Sequence, residues 1–176
     1  MSLKGFTLVE VLITVAIFSL IFMAIFAVLT IGESSWYSGD ISVELNQEIG
    51  RALLTMTRQL RQSRSTVISN VPANDTYYNS ITFKVPQDID GDGDVINSSG
   101  NMEWSQNFSY SLNENKQIIR STESGTSILA NNIFSLQFKR FSGNDDVIQI
   151  YIIARKVTVR RRSLESSIIS SVKMRN

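Results

Sequence analysis

Four aspartates stand at alternate positions in Asp88-Ile89-Asp90-Gly91-Asp92-Gly93-Asp94-Val95 and could gather several carboxylates around one point. A hard cation takes oxygen ligands, and such spacing supplies them. In an EF-hand-like register Asp88, Asp90 and Asp92 ligate through their side chains, and Gly93 makes the sharp turn. Asp94 then offers its carbonyl, and Val95 takes the apolar position that follows. Ser99 stands where the terminal bidentate acid belongs, and Glu103 reaches back only across a longer loop. Without that acid a calcium ion is expected to bind weakly, at about 10⁻⁴–10⁻³ M, and to stiffen a surface loop. The competing reading is an Asx-rich turn whose carboxylates repel one another into solvent.

Glu10 raises a different question. It is the one charge in the almost wholly apolar run from Phe6 to Leu29. A carboxylate in lipid costs roughly 2.5–3.5 kcal/mol on insertion scales. Glu10 therefore either sits at the helix start and reaches the headgroups, or awaits a cationic partner.

The chain has no His and no Cys. Ser-His and Cys-His nucleophile pairs, imidazole zinc sites, thiolate metal sites and disulfides are thereby excluded. The formal net charge of +1 gives no general case for a nucleic-acid partner. A local basic cluster, Arg155, Lys156, Arg160, Arg161 and Arg162, could still contact DNA, but the aromatic interleaving of a single-strand groove is missing. Charges on a strand edge also block sheet-to-sheet aggregation.

These residues need elements to hold them. Residues 6–29 form a helix that would rise about 36 Å at ~1.5 Å per residue, enough to cross a hydrocarbon core. A secretory signal peptide would have a shorter core and a small-residue cleavage site, and neither is present. A plain anchor fits the length but leaves Gly5-Phe6 and Glu10 unexplained. A buried core helix would be unusually long and apolar on every side.

Residues 30–64 continue as an amphipathic half-helix. Ile41, Leu45, Ile49, Leu53, Met56 and Leu60 fall on one stripe. Gly32, Gly39 and Gly50 weaken it locally. Acids come first (Glu33, Asp40, Glu44, Glu48) and bases later (Arg51, Arg58, Arg61, Arg64), in the order that complements a helix dipole. Those charges read as a solvated face.

Residues 65–176 read as a loop and an antiparallel sheet, with the acidic loop at 87–100. Strands are expected at Ile81–Val85, Phe108–Leu112, Gln117–Arg120, Phe134–Phe138, Val147–Val159 and Ser167–Met174. Residues 70–80 are polar and read as loop. One long helix followed by antiparallel strands is an α+β arrangement.

Lys4-Gly5-Phe6-Thr7-Leu8-Val9-Glu10, with the apolar run behind it, resembles the class III leader junction of type IV prepilins and pseudopilins. The resemblance implies a leader of residues 1–5, cleavage between Gly5 and Phe6 by a prepilin peptidase, and methylation of the new Phe6 amine. It also implies that Glu10 pairs with the amino terminus of a neighbouring subunit. The physics agrees, because an amine buried among apolar helices is tolerable only beside an opposite charge.

A pilin-like fold follows from the same resemblance. So do a single-pass inner-membrane protein with its amino terminus cytoplasmic, an assembly platform in that membrane, and other pilin or pseudopilin subunits as partners. The Asp-Gly-Asp segment, the Tyr-Ser-Leu hairpin, residues Ile133 to Phe138 and the terminal Lys-Met-Arg-Asn are similar to W-type minor pilins and J-type pseudopilins. The expected role is structural, not enzymatic: to prime or cap a type IV pilus or a type II secretion pseudopilus. The alternative is a filament-borne binding module for DNA or surfaces. A major pilin fits less well, because Ala27 stands in the helix region where many pilins carry proline.

Overall fold

The computed structural model describes residues 7–158 and 163–175. The expected leader (residues 1–5, ending at Gly5), the expected methylation site Phe6, and Arg160, Arg161 and Arg162 lie outside the described residues. The chain divides into two units, one ending at Asp40 and the other beginning at Ile41.

Helix α1 spans Leu8–Gln62, and Gly32, Gly39 and Gly50 do not interrupt it. In the first unit its apolar side chains, from Leu8 through Ile31, are exposed. The helix contains a window of mean hydropathy 2.9 and is long and apolar enough to cross a membrane. Ser and Thr return their hydroxyls to the backbone along this stretch, as Thr14 does to Glu10 O at 2.7 Å and Ser19 to Val15 O at 2.8 Å. That removes their cost in an apolar setting.

The second unit is α+β. After α1 a single 3-10 turn at Ser65–Val67 leads to β1 (Tyr77–Tyr78) and β2 (Ser80–Phe83). Next come β3 (Phe108–Leu112), β4 (Ile118–Thr122), β5 (Gly125–Ala130), β6 (Ile133–Phe141), β7 (Asn144–Val157) and β8 (Ser163–Lys173). They form two antiparallel four-stranded sheets, ordered β1-β6-β7-β8 and β2-β3-β4-β5, where the sequence suggested one.

The expected stripe of α1 is the core contact. Leu45, Ile49, Met56 and Leu60 are buried, joined by Ala52, while Ile41 and Leu53 pack at its margin. They meet Ile81, Phe83, Tyr110 and Ile118 from one sheet and Leu136, Phe138, Ile148, Ile150 and Ile152 from the other. Alternation along β6 and β7 sends every second residue inward, which is why two such strands close one face of a shared core.

Three expectations change. Tyr77–Tyr78 pairs with β6 although it falls in the polar stretch read as loop; the partner strand, not the local pattern, supplies its hydrogen bonds. Strand β5 lacks apolar alternation and forms as an edge on β4, through a two-residue Glu123-Ser124 turn with Gly125 at φ 146°. The helix acids are not simply solvated. Both carboxylate oxygens of Glu44 accept from Lys156 Nζ, at 2.7 and 2.6 Å, and Glu48 accepts from the backbone N–H of Asn131 at 2.9 Å. These acids tie α1 to the last residues of β7 and to the turn between β5 and β6.

Candidate functional site: the helix start and the acidic loop

At the amino-terminal end of α1, Thr7 and Glu10 form a reciprocal cap. Thr7 donates to Glu10 Oε2 from its backbone N–H at 2.8 Å and from its hydroxyl at 2.9 Å. The Glu10 N–H donates back to Thr7 Oγ1 at 3.3 Å. This is a capping box, in which an N-cap hydroxyl and an acid three residues on satisfy donors that helix geometry leaves free. Thr-x-x-Glu at residues 7–10 is the sequence signature of this cap. Among the described residues no hydrogen bond reaches Glu10 Oε1.

The acidic loop is built on a small ladder between β2 and β3. Pro86 bridges Trp104 and Ile96 bridges Met102. Between these bridges Glu103 is held on both sides: its N–H donates to Val95 O at 2.8 Å, and its carbonyl accepts from Gln87 N at 3.2 Å. The side chain follows, and Glu103 Oε2 accepts from Ile89 N at 2.6 Å. Glu103 thus does reach the loop, because the ladder folds residues 101–105 back on residues 85–97.

Inside the loop, carboxylate oxygens of Asp88, Asp90 and Asp92 lie within 4.8 Å of one another. Asp88 accepts from the N–H groups of Gly91 (2.7 Å) and Gly93 (2.9 Å). Asp90 accepts from Asp92 N at 3.2 Å, and Asp92 from Asp94 N at 2.8 Å. Asp94 turns its own carboxylate to Val95 N at 2.7 Å, outside that group of three. Gly91 and Gly93 sit at φ 80° and 90°, a conformation that favours glycine. The Asp92 amide pulls the Asp90 pKa down, but desolvation and the charges of Asp92, Glu103 and Asp88 outweigh it, and the net shift is upward. Crowded carboxylates are the cause. The donor set is all oxygen and strongly negative, which fits a hard divalent cation and not a soft metal.

In the basic cluster, Arg155 donates to Glu165 Oε2 from Nε (3.0 Å) and Nη2 (2.7 Å), and its guanidinium lies 3.7 Å from the Phe134 ring centroid. Lys156 is engaged with Glu44. Two of the five bases singled out for nucleic acid are therefore occupied by acids of the same chain.

Comparison with known proteins bears on the helix start. Residues 2–26 match the family model described as the prokaryotic N-terminal methylation motif. The match spans the leader junction, the capped turn with Glu10 and most of the apolar run. It supports a type IV prepilin-like protein that is anchored through its first helix. No curated protein and no solved structure matches the chain.

Proposed function

We propose that this chain is a minor pilin or pseudopilin, a structural subunit that primes or caps assembly of a type IV pilus or a type II secretion pseudopilus. The observation that carries the reading is the methylation-motif match at residues 2–26. It coincides with an apolar helix whose one early acid, Glu10, keeps a carboxylate oxygen free among the described residues. In this reading a prepilin peptidase cuts between Gly5 and Phe6, and the Phe6 amine is methylated. The chain waits in the inner membrane with its amino terminus cytoplasmic. It then moves through the assembly platform into a filament with other pilin or pseudopilin subunits.

Glu10 Oε1 receives the methylated amine of a neighbour there. Away from water such an ion pair is strongly favoured over either charge alone. The α+β head supports the same reading: it is a packed unit with a sheet surface to present, and its role is structural, not enzymatic. The acidic loop is proposed to hold one calcium ion through Asp88, Asp90 and Asp92, with the Asp94 carbonyl and Glu103 nearby. Calcium would neutralise the crowded carboxylates and fix the loop.

The test is assembly in a cell that makes the filament. Glu10→Ala is expected to insert in the membrane at normal levels and to be missing from sheared filaments. Incorporation of Glu10→Ala at the native level would refute the assembly role.

A further inference from the structure

A polar cleft of about 420 Å³ opens between α1, β3 and β4, remote in sequence from the helix start and bordering the acidic loop only through Gln87. Its lining holds one formal charge, Arg120, with the carboxamides of Gln59, Gln87, Gln106 and Asn107, the ring of Phe108 and three hydroxyl side chains. No carboxylate lines it. Asp88 follows Gln87 in sequence but is turned onto the amides of Gly91 and Gly93, and Glu123 is exposed outside the lining.

Arg120 is placed by β4, opposite Tyr110 on β3. Its Nε is shut off from water with no acceptor, and no acid pairs with it among the described residues. Tyr110 cannot supply the missing negative charge. Burial drives its hydroxyl pKa upward, only partly opposed by Arg120, and the neutral hydroxyl donates to Gln59 Oε1. That bond leaves the Gln59 amide hydrogens as donors. The side chains of Gln87, Gln106 and Asn107 make no hydrogen bond among the described residues.

The lining thus offers one uncompensated cation, free amide donors and acceptors, and one aromatic face. A guanidinium matches a carboxylate fork, and charge-assisted pairs of this kind are about twice as strong as neutral ones. Amides satisfy hydroxyls, which are both donors and acceptors, and a ring face covers C–H groups. Ligand clefts of roughly 300–1,000 Å³ accommodate small molecules, and a single pyranose fits the observed volume.

We infer that this cleft binds an acidic sugar, a pyranose bearing a carboxylate that pairs with Arg120 while the carboxamides take its hydroxyls. The inference concerns a surface of the folded head and does not depend on how the amino terminus assembles.

The experiment is calorimetric titration of the full chain in detergent micelles with glucuronate, with glucose, and with an acetylated dipeptide that ends in a free carboxylate. Glucuronate is expected to bind, with glucose at least about tenfold weaker. Arg120→Gln should remove the preference for glucuronate without lowering the melting temperature, because no acid among the described residues pairs with Arg120. Arg120→Lys should keep part of it. Gln106→Ala, on the exposed rim, should weaken glucuronate with the fold intact, and serves if Arg120→Gln does not fold. Equal affinity for glucose and glucuronate, no heat with any ligand, or unchanged affinity in both Arg120→Gln and Gln106→Ala would overturn the proposal. Tighter binding of the dipeptide than of glucuronate would overturn it in favour of a peptide carboxyl terminus.

Discussion

Thr7 places two donors on a single oxygen of Glu10: its backbone N–H at 2.8 Å and its hydroxyl at 2.9 Å both reach Oε2. One carboxylate thereby closes its own helix and still presents Oε1. The two roles separate by mutation. Thr7→Ala removes the hydroxyl cap and costs about 0.5–2 kcal/mol of helix stability, but leaves the carboxylate in place. Filament incorporation is expected to persist in Thr7→Ala and to be lost in Glu10→Gln, read by immunoblot of sheared filaments. Equal loss in both variants would reduce Glu10 to a helix cap.

Asp75 and Ser142 give the head an acid-sensitive contact. The Ser142 hydroxyl donates to Asp75 Oδ2 at 2.5 Å, and this bond, more than the Lys139 charge, lowers the Asp75 pKa against opposing desolvation. A depressed carboxylate stabilises the folded state above its unfolded value of ~3.9, and that contribution disappears as pH falls through the lower folded value. Ser142→Ala should therefore narrow the gap between native and variant melting temperatures as pH is taken below the carboxylate range. A gap independent of pH would show that the bond does not favour the ionised form.

Calcium should matter at the acidic loop. With a dissociation constant of ~10⁻⁴–10⁻³ M, raising calcium to one hundred times that constant would add about 2.7 kcal/mol to unfolding. The melting temperature is expected to rise with calcium, and Asp90→Asn to blunt the rise while relieving repulsion in the ion-free protein. No response at millimolar calcium would leave the loop as a self-capped Asx turn.

Arg140, on β6, ties the 3-10 turn and the loop that follow α1 to the first sheet. It is only 7% exposed, and its guanidinium donates to Asp145 O (3.1 Å), Val71 O (3.0 Å) and Ser65 O (3.3 Å). Its ion pair with Asp145, at 3.6 Å to a largely exposed carboxylate, is the lesser part. Arg140→Met keeps the stem and strips acceptors of their donor, and should cost at least ~3 kcal/mol in denaturant unfolding, at about 1–3 kcal/mol per stranded group. A loss below ~1 kcal/mol would mean that water replaces the guanidinium.

Much of this was legible in the sequence, for identifiable reasons. The stripe Leu45, Ile49, Met56 and Leu60 and the alternation of β6 and β7 are periodic, and periodicity survives folding because it is a statement about faces. Strands Tyr77–Tyr78 and Gly125–Ala130 were not legible, because an edge strand takes its order from the partner beside it. The division into two sheets was hidden for the same reason: pairing is non-local. At the candidate sites the sequence indicated Asp88, Asp90 and Asp92, but the approach of Glu103 depends on a ladder between residues 85–97 and 101–105. The cleft around Arg120 has residues drawn from α1, the acidic-loop margin and β4, and no local spacing announces it.

The amino terminus that the cell produces separates a prepilin-like chain from a plain anchored protein. Intact-mass and fragment-ion spectrometry of the chain purified from filaments or membranes reads it directly. The expected result is a mature chain that begins at Phe6 with one added methyl group on its α-amine. A chain that retains Met1, or one cut near residue 30 with the apolar helix removed, would contradict the prepilin-like reading.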